Sequence, residues 1–154
     1  MNPTAKRMKN IFLTDDDDDD CLLFSEAIQE IFPENEARLL ITNDGVKLMK
    51  ALDETVPPPP EVIFLDLNMP RKNGFECLDE IRRDPKLKDI PVVIFSTTSN
   101  NDVVNRTYQQ GANYYVCKPQ SFTLLKKTIE FVLSFDVNKL KQQPLRDHFV
   151  INIA

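Results

Sequence analysis

The stretch Val62-Ile63-Phe64-Leu65-Asp66-Leu67-Asn68-Met69-Pro70 decides how this chain is read. It begins with a short apolar run, the pattern of a strand buried on both faces. The run ends in an aspartate, and Pro70 follows four residues later. In an open parallel sheet, ligands collect at the carboxyl ends of the strands. An aspartate leaving such a strand stands where a carboxylate can act while the strand holds it still.

Outward from this stretch, strand and helix alternate. Ile11-Phe12-Leu13-Thr14 predicts a first strand with Asp15 at its end. Phe24, Ala27, Ile28 and Ile31 recur at helical spacing, and Pro33 closes that helix. Ala37 to Ile41 reads as a second strand, Asn43-Asp44-Gly45 as a turn, and Val46 to Leu52 as a short helix. Pro57 to Pro60 predicts a stiff, extended connector, which could also be a ligand tract for a proline-reading domain. Beyond Asp66, Asn73 to Arg83 is helical and Pro91 to Phe95 is a fourth strand. Asn101 to Gln110 is a helix that stops at Gly111, and Asn113 to Cys117 is a fifth strand. Ser121 caps a last helix whose face is Phe122, Leu125, Ile129, Val132 and Leu133. Strict alternation of this kind implies an α/β fold, a parallel sheet covered by helices on both faces. The predicted plan is an N-terminal extension over residues 1–8, one domain over 9–135, and a tail over 136–154 without an output domain. The tail ends in a β-prone stretch, Phe149-Val150-Ile151-Asn152-Ile153.

Composition narrows the function. The formal net charge is -5, which argues against nucleic acid as a partner, because phosphate backbones demand a basic face. No apolar run reaches the roughly 20 residues of a membrane span, and aspartates follow directly on Ile11-Phe12-Leu13 where a signal peptide would continue apolar. The three cysteines show no metal-ligand spacing and read as buried thiols, so a cytoplasmic location is expected. The three glycines, Gly45, Gly74 and Gly111, lie far apart, which excludes a glycine-rich phosphate loop or dinucleotide fingerprint. The one histidine, His148, is near the C-terminus, remote from any plausible triad or histidine metal cluster.

Polar groups end four of the predicted strands: Asp15 and Asp16, Asp66, Ser96 and Thr97, and Lys118. Their coincidence at one sheet edge is the functional signal. Several carboxylates brought together repel and need a divalent cation, and Mg2+ suits an all-oxygen site of carboxylates, a backbone carbonyl and water. Asp66 would then take a phosphoryl group, Lys118 would supply a positive charge, and the Ser96 hydroxyl would hydrogen-bond a phosphate oxygen. Asp15 to Asp20 is a run of six aspartates, of which the first two read as site residues and the rest as loop and helix start.

The motifs Phe12-Leu13-Thr14-Asp15-Asp16, Leu65-Asp66-Leu67-Asn68-Met69-Pro70, Phe95-Ser96-Thr97 and Gly111-Ala112-Asn113-Tyr114-Tyr115-Val116-Cys117-Lys118-Pro119 resemble the receiver domains of bacterial response regulators, the CheY-like superfamily. The resemblance runs from about Asn10 to Phe135. It implies a flavodoxin-like (βα)5 three-layer sandwich with strand order 2-1-3-4-5. It implies Asp66 as phosphoacceptor, and Asp15, Asp16, Asp66 and the Asn68 backbone carbonyl as Mg2+ ligands. Lys118 matches the lysine of the family, and Ser96 and Tyr115 match the switch pair. The Tyr115 ring is expected to rotate from an exposed to a buried position on phosphorylation. The resemblance also implies a cis Lys118–Pro119 bond. The stretch Arg83 to Pro91 is similar to single-domain receivers, some of which serve phytochrome-type sensor kinases. Gln120 departs from the family, which commonly has an aromatic residue there.

The implied function is phosphoryl acceptance from a sensor histidine kinase or phosphotransfer protein. Output would pass to a downstream protein or a homodimer through the face formed by the fourth helix, fifth strand and fifth helix. The chain would be a phosphoacceptor signalling protein, not a turnover enzyme. The alternatives are a receiver-shaped binding module that is never phosphorylated, or an aspartate-nucleophile phosphatase. The latter needs an acidic residue where Asn68 stands. An acidic calcium-binding protein is a further rival, but the aspartate run lacks the glycine and glutamate spacing of a calcium loop.

Overall fold

The computed structural model describes residues 8–153, so the predicted N-terminal extension lies, apart from Met8, outside the described residues. The elements are β1 Lys9–Thr14, α1 Asp18–Ile31, β2 Ala37–Thr42, α2 Gly45–Thr55, β3 Val62–Leu65, α3 Gly74–Arg83, β4 Val92–Ser96, α4 Asn101–Gln109, β5 Tyr114–Cys117, α5 Phe122–Leu133 and α6 Val137–Leu140. The strands form one sheet in the order β2-β1-β3-β4-β5, and every pairing is parallel. No helix among the described residues is long and apolar enough to cross a membrane.

Period-two alternation divides the central strands between two cores. Phe12, Ile63, Leu65, Val92 and Ile94 face one side, packed with Leu48 and Leu52 of α2, Leu78 and Ile81 of α3, and Val104 of α4. Ile11, Leu13, Val62, Phe64, Val93 and Phe95 face the other, against Phe24 and Ile28 of α1 and Leu125, Ile129 and Val132 of α5. There Phe24 sits edge-on to Phe64 and Phe95, with ring centroids 4.9 and 5.7 Å away. Burying each of these rings contributes about 1.5–3 kcal/mol, so the functional strand ends stand on a stiff support.

Local signals fix the helix starts. Asp17 caps α1 by accepting from the Asp20 amide, with Asp18, Asp19 and Asp20 in the positive first turn. Asn73 and Glu76 form a reciprocal capping box on α3, and Ser121 caps α5. Gly111 follows α4 at φ +95°, a conformation natural to glycine.

Two proline features and one cysteine differ from the sequence expectations: Cys117, read as a buried thiol, is exposed. Among the described residues the cis peptide bonds are Val56–Pro57 and Pro57–Pro58, so the proline connector is not the uniformly extended path expected. Lys118–Pro119 is trans, the isomer that X–Pro bonds favour by about 0.5–1 kcal/mol. The strand–helix alternation ends at Phe135, but the packing does not. The chain forms α6, then a short 3-10 turn at Arg146–His148, and runs along the outer edge of β5. The Tyr115 amide donates to the Phe149 carbonyl, and the Ile151 amide donates to the Tyr115 carbonyl. Leu140 and Phe149 are buried, the Tyr108 hydroxyl donates to the Pro144 carbonyl, and the Asn113 amide group donates to the Leu140 carbonyl. The tail thus satisfies backbone groups that an edge strand would expose.

Candidate functional site

Asp66 follows β3 in the centre of the sheet. Its amide donates to the Thr14 carbonyl, which locks the loop after β3 to the end of β1. Gly74 begins α3 in direct contact with this loop. Its amide donates to the Leu67 carbonyl, and a Cβ there would lie 2.2 Å from the Asp66 carbonyl oxygen. Only glycine allows the helix to approach the phosphoacceptor candidate so closely. Sequence reasoning did not identify this role; an isolated glycine at a helix start was its only trace.

Asp15 and Asp16 leave β1 beside Asp66. Oxygens of Asp15, Asp16 and Asp66 all lie within 4.8 Å of one another. Asp15 and Asp66 are buried, whereas Asp16 is exposed. The site is therefore open to solvent on one side. Lys118, at the end of β5, brings its ammonium 2.8 Å from Asp15 Oδ2 and 3.9 Å from Asp66 Oδ2. The contact with Asp15 is a buried ion pair. Three carboxylates with oxygens this close, two of them buried, fit a divalent cation in an all-oxygen site. Asp20, on the first turn of α1, also accepts from Lys118 at 2.8 Å. The aspartate run by itself marks Asp20 only as one of the loop and helix-start residues.

The electrostatics follow from this crowding. Burial, reinforced by repulsion from Asp15, pushes the Asp66 carboxyl from an ordinary 3.8 up to about 7. Lys118 and the amides of Leu67 and Asn68 pull against that rise. Burial also raises Asp15, against the pull of Lys118. For Lys118, burial acts downward, but Asp15 and Asp20 outweigh it and hold the ammonium above its ordinary value. The lysine is charged at any physiological pH, and a cation would relieve the two buried carboxyls.

Ser96 ends β4 fully buried, and its hydroxyl accepts from the Thr98 amide. Tyr115 is buried in this structure, its hydroxyl donating to the Thr98 carbonyl at 2.8 Å and its ring against Phe149. The exposed starting position expected for the Tyr115 ring is not the one seen. Asn68 is exposed beside Asp66. A cavity of about 660 Å3 lies elsewhere, between α5 and the C-terminal segment, lined by residues such as Tyr114, Phe131, Leu145 and Ile153, and Asp15, Asp16 and Asp66 are not among its lining.

Comparison with known proteins agrees with this geometry. The response regulator receiver domain family matches residues 11–130. Response regulator Rcp1 of Synechocystis sp. is 34% identical over 139 residues, covering 88% of this chain and 93% of its own. The crystal structure of the phosphorylated cyanobacterial phytochrome response regulator RcpA is 36% identical and superimposes with a TM-score of 0.74, over 82% of this chain and 95% of that one. The Mn2+-bound form of Rcp1 is 35% identical, with a TM-score of 0.72 over 82% and 93% of the two chains. With the family matched over most of the chain and a relative of 34% identity matched over most of both chains, the chain belongs to the response regulator receiver domain family, the receivers of two-component signalling.

Proposed function

We propose that this chain is a response regulator receiver whose Asp66 carboxylate accepts a phosphoryl group from the phosphohistidine of a sensor histidine kinase or phosphotransfer protein. The observation that carries the reading is the ring around Asp66: carboxylate oxygens of Asp15 and Asp16 within 4.8 Å, and the Lys118 ammonium 3.9 Å away. An Asp66 oxygen bonds to phosphorus as the P–N bond to the donor ring breaks, and the imidazole, keeping the proton already on its other nitrogen, leaves neutral. Asp15, Asp16, Asp66 and the Asn68 carbonyl would hold Mg2+, which supplies neutralisation of charge on the phosphoryl oxygens. Lys118 holds a positive charge beside Asp66 before transfer and beside the acyl phosphate after it. Ser96 donates its hydroxyl to a phosphoryl oxygen. Water later attacks phosphorus, the bond to Asp66 breaks, inorganic phosphate leaves, and the carboxylate is restored. The side chain of Asn68 governs access of that water. The chain catalyses its own modification by positioning and electrostatics and is a signalling protein, not a turnover enzyme.

The output face is α4–β5–α5, completed by the tail along β5. Attraction of the Ser96 hydroxyl to the phosphoryl group favours the buried Tyr115, and a downstream protein or a second copy of the chain reads the resulting surface. Residues 9–135 act as the receiver, and the described part of the tail, residues 136–153, finishes this face. The cytoplasm is the compartment such a phosphohistidine donor implies.

Incubation with acetyl phosphate and Mg2+ tests the reading. The intact mass is expected to rise by one phosphoryl group in the native chain, and not in Asp66→Asn or in the presence of a chelator. Gain of a phosphoryl group by Asp66→Asn would refute it.

A further inference from the structure

Asp20 is the carboxylate at the site that the proposed chemistry leaves without a role. It stands in the first turn of α1, and its Oδ2 lies 2.8 Å from Lys118 Nζ. Asp15 Oδ2 is equally close, while Asp66 Oδ2 is 3.9 Å away. The ammonium is therefore nearer to these two carboxylates than to the group it would serve. The Lys118 side chain is 11% exposed and that of Asp20 32%. Water screens such a pair less than it screens a pair on an open surface. The contact also ties the start of α1 to the end of β5, across 98 positions of sequence. A surface aspartate that only favoured the helix dipole would not need to reach a lysine on another element.

We propose that Asp20 is a positioning residue that acts through Lys118: it holds the ammonium back from Asp66 in the unmodified chain and competes for it with the phosphoryl group. This inference rests on the reading of Asp66 as phosphoacceptor. A phosphoryl group on Asp66 brings up to about two negative charges and draws the ammonium toward itself. The work of parting Lys118 from Asp20 is subtracted from the stability of the phosphorylated state. A neutral residue at position 20 releases Lys118 and favours that state. Asp20 also repels the incoming anion directly, and that effect persists without Lys118. The two contributions are separable by a double-mutant cycle.

The probe is beryllofluoride, a reversible phosphoryl mimic, titrated with Mg2+ onto the native chain, Asp20→Asn, Lys118→Met and the double variant, and followed by amide NMR shifts. Asp20→Asn is expected to tighten binding in the native background by about threefold more than it does in the Lys118→Met background. Asp20→Ser should give the same coupling, and thermal unfolding of each variant checks that the fold persists. Equal gains in the two backgrounds would reduce Asp20 to a remote charge and overturn the inference. Weaker binding by Asp20→Asn would mean that Asp20 delivers Lys118 instead of withholding it, which also overturns it. A native chain that binds no beryllofluoride and takes no phosphoryl group from acetyl phosphate would bring down the phosphoacceptor reading itself, and the inference with it. A native chain that is phosphorylated but shows no coupling brings down only the role of Asp20.

Discussion

Replacing Asp66 with asparagine is predicted to stabilise the metal-free fold at neutral and alkaline pH. The folded carboxyl sits at about 7 and the unfolded one at 3.8, first because of burial and then because of Asp15. Between those values the folded chain holds a proton that the unfolded chain has released. Stability therefore falls as pH rises through this window, and above its upper end the loss is complete. At about 1.4 kcal/mol for each tenfold change in acidity, the full loss is about 4 kcal/mol. Asparagine keeps the shape of the side chain and carries no charge, so the variant escapes the loss. One kcal/mol moves the melting temperature of a chain this long by about 2–4 °C, so Asp66→Asn should melt about 8 °C or more above the native chain at about pH 8. Thermal unfolding followed by circular dichroism, in chelator, measures the difference. At about pH 4 the native carboxyl is protonated when folded, and the gap should close. Saturating Mg2+ at the higher pH should narrow it too, because a cation offsets the repulsion among the three carboxylates. A native chain as stable as Asp66→Asn, or more so, at about pH 8 in chelator would refute the electrostatic argument.

Other predictions follow from the same packing. Phe149→Ala empties a fully buried position beneath Tyr115 and Tyr108 and should cost about 3–5 kcal/mol in urea unfolding; a cost below about 1 kcal/mol would mean that the tail is not docked. Arg82 donates to the carbonyls of Gly111, Lys88 and Ile90 and to the Asn113 side chain, so Arg82→Met should destabilise by about 2–4 kcal/mol through acceptors left unsatisfied, measured in the same way. Cys117 is exposed, whereas burial pushes the Cys21 and Cys77 thiols up to about 12, so a thiol reagent at about pH 8 should modify Cys117 fast and the other two only on unfolding. Rapid modification of Cys21 in the folded chain would contradict its buried place on the core face of α1.

The fold was legible because its strands are short apolar runs ended by polar residues, and its helices carry apolar faces bounded by caps and breakers. The candidate site was legible for a related reason. Asp15, Asp66, Ser96 and Lys118 are the first polar residues after buried strands, and in a parallel sheet all such positions fall on one edge. What escaped were facts of approach and of small energy differences. Nothing in the aspartate run says that the first turn of α1 aims Asp20 at Lys118. Gly74 gave no sign of its contact with the Asp66 carbonyl, because that contact depends on where α3 meets the sheet. The tail lost the strand–helix rhythm, but the apolar residues Leu140, Phe149 and Ile151 still found partners on β5 and its neighbours. The isomers at Pro57, Pro58 and Pro119 turn on about 1 kcal/mol or less, too little for local sequence to decide.

The central claim is that Asp66 alone among the carboxylates takes the phosphoryl group. Its most direct test is chemical trapping after incubation with acetyl phosphate and Mg2+. Borohydride reduces an aspartyl phosphate to homoserine, so peptide mapping reads the modified position. The account predicts homoserine at position 66 and nowhere else, with none formed in chelator. Homoserine at position 15, 16 or 20, or none in a chain that binds Mg2+, would contradict it.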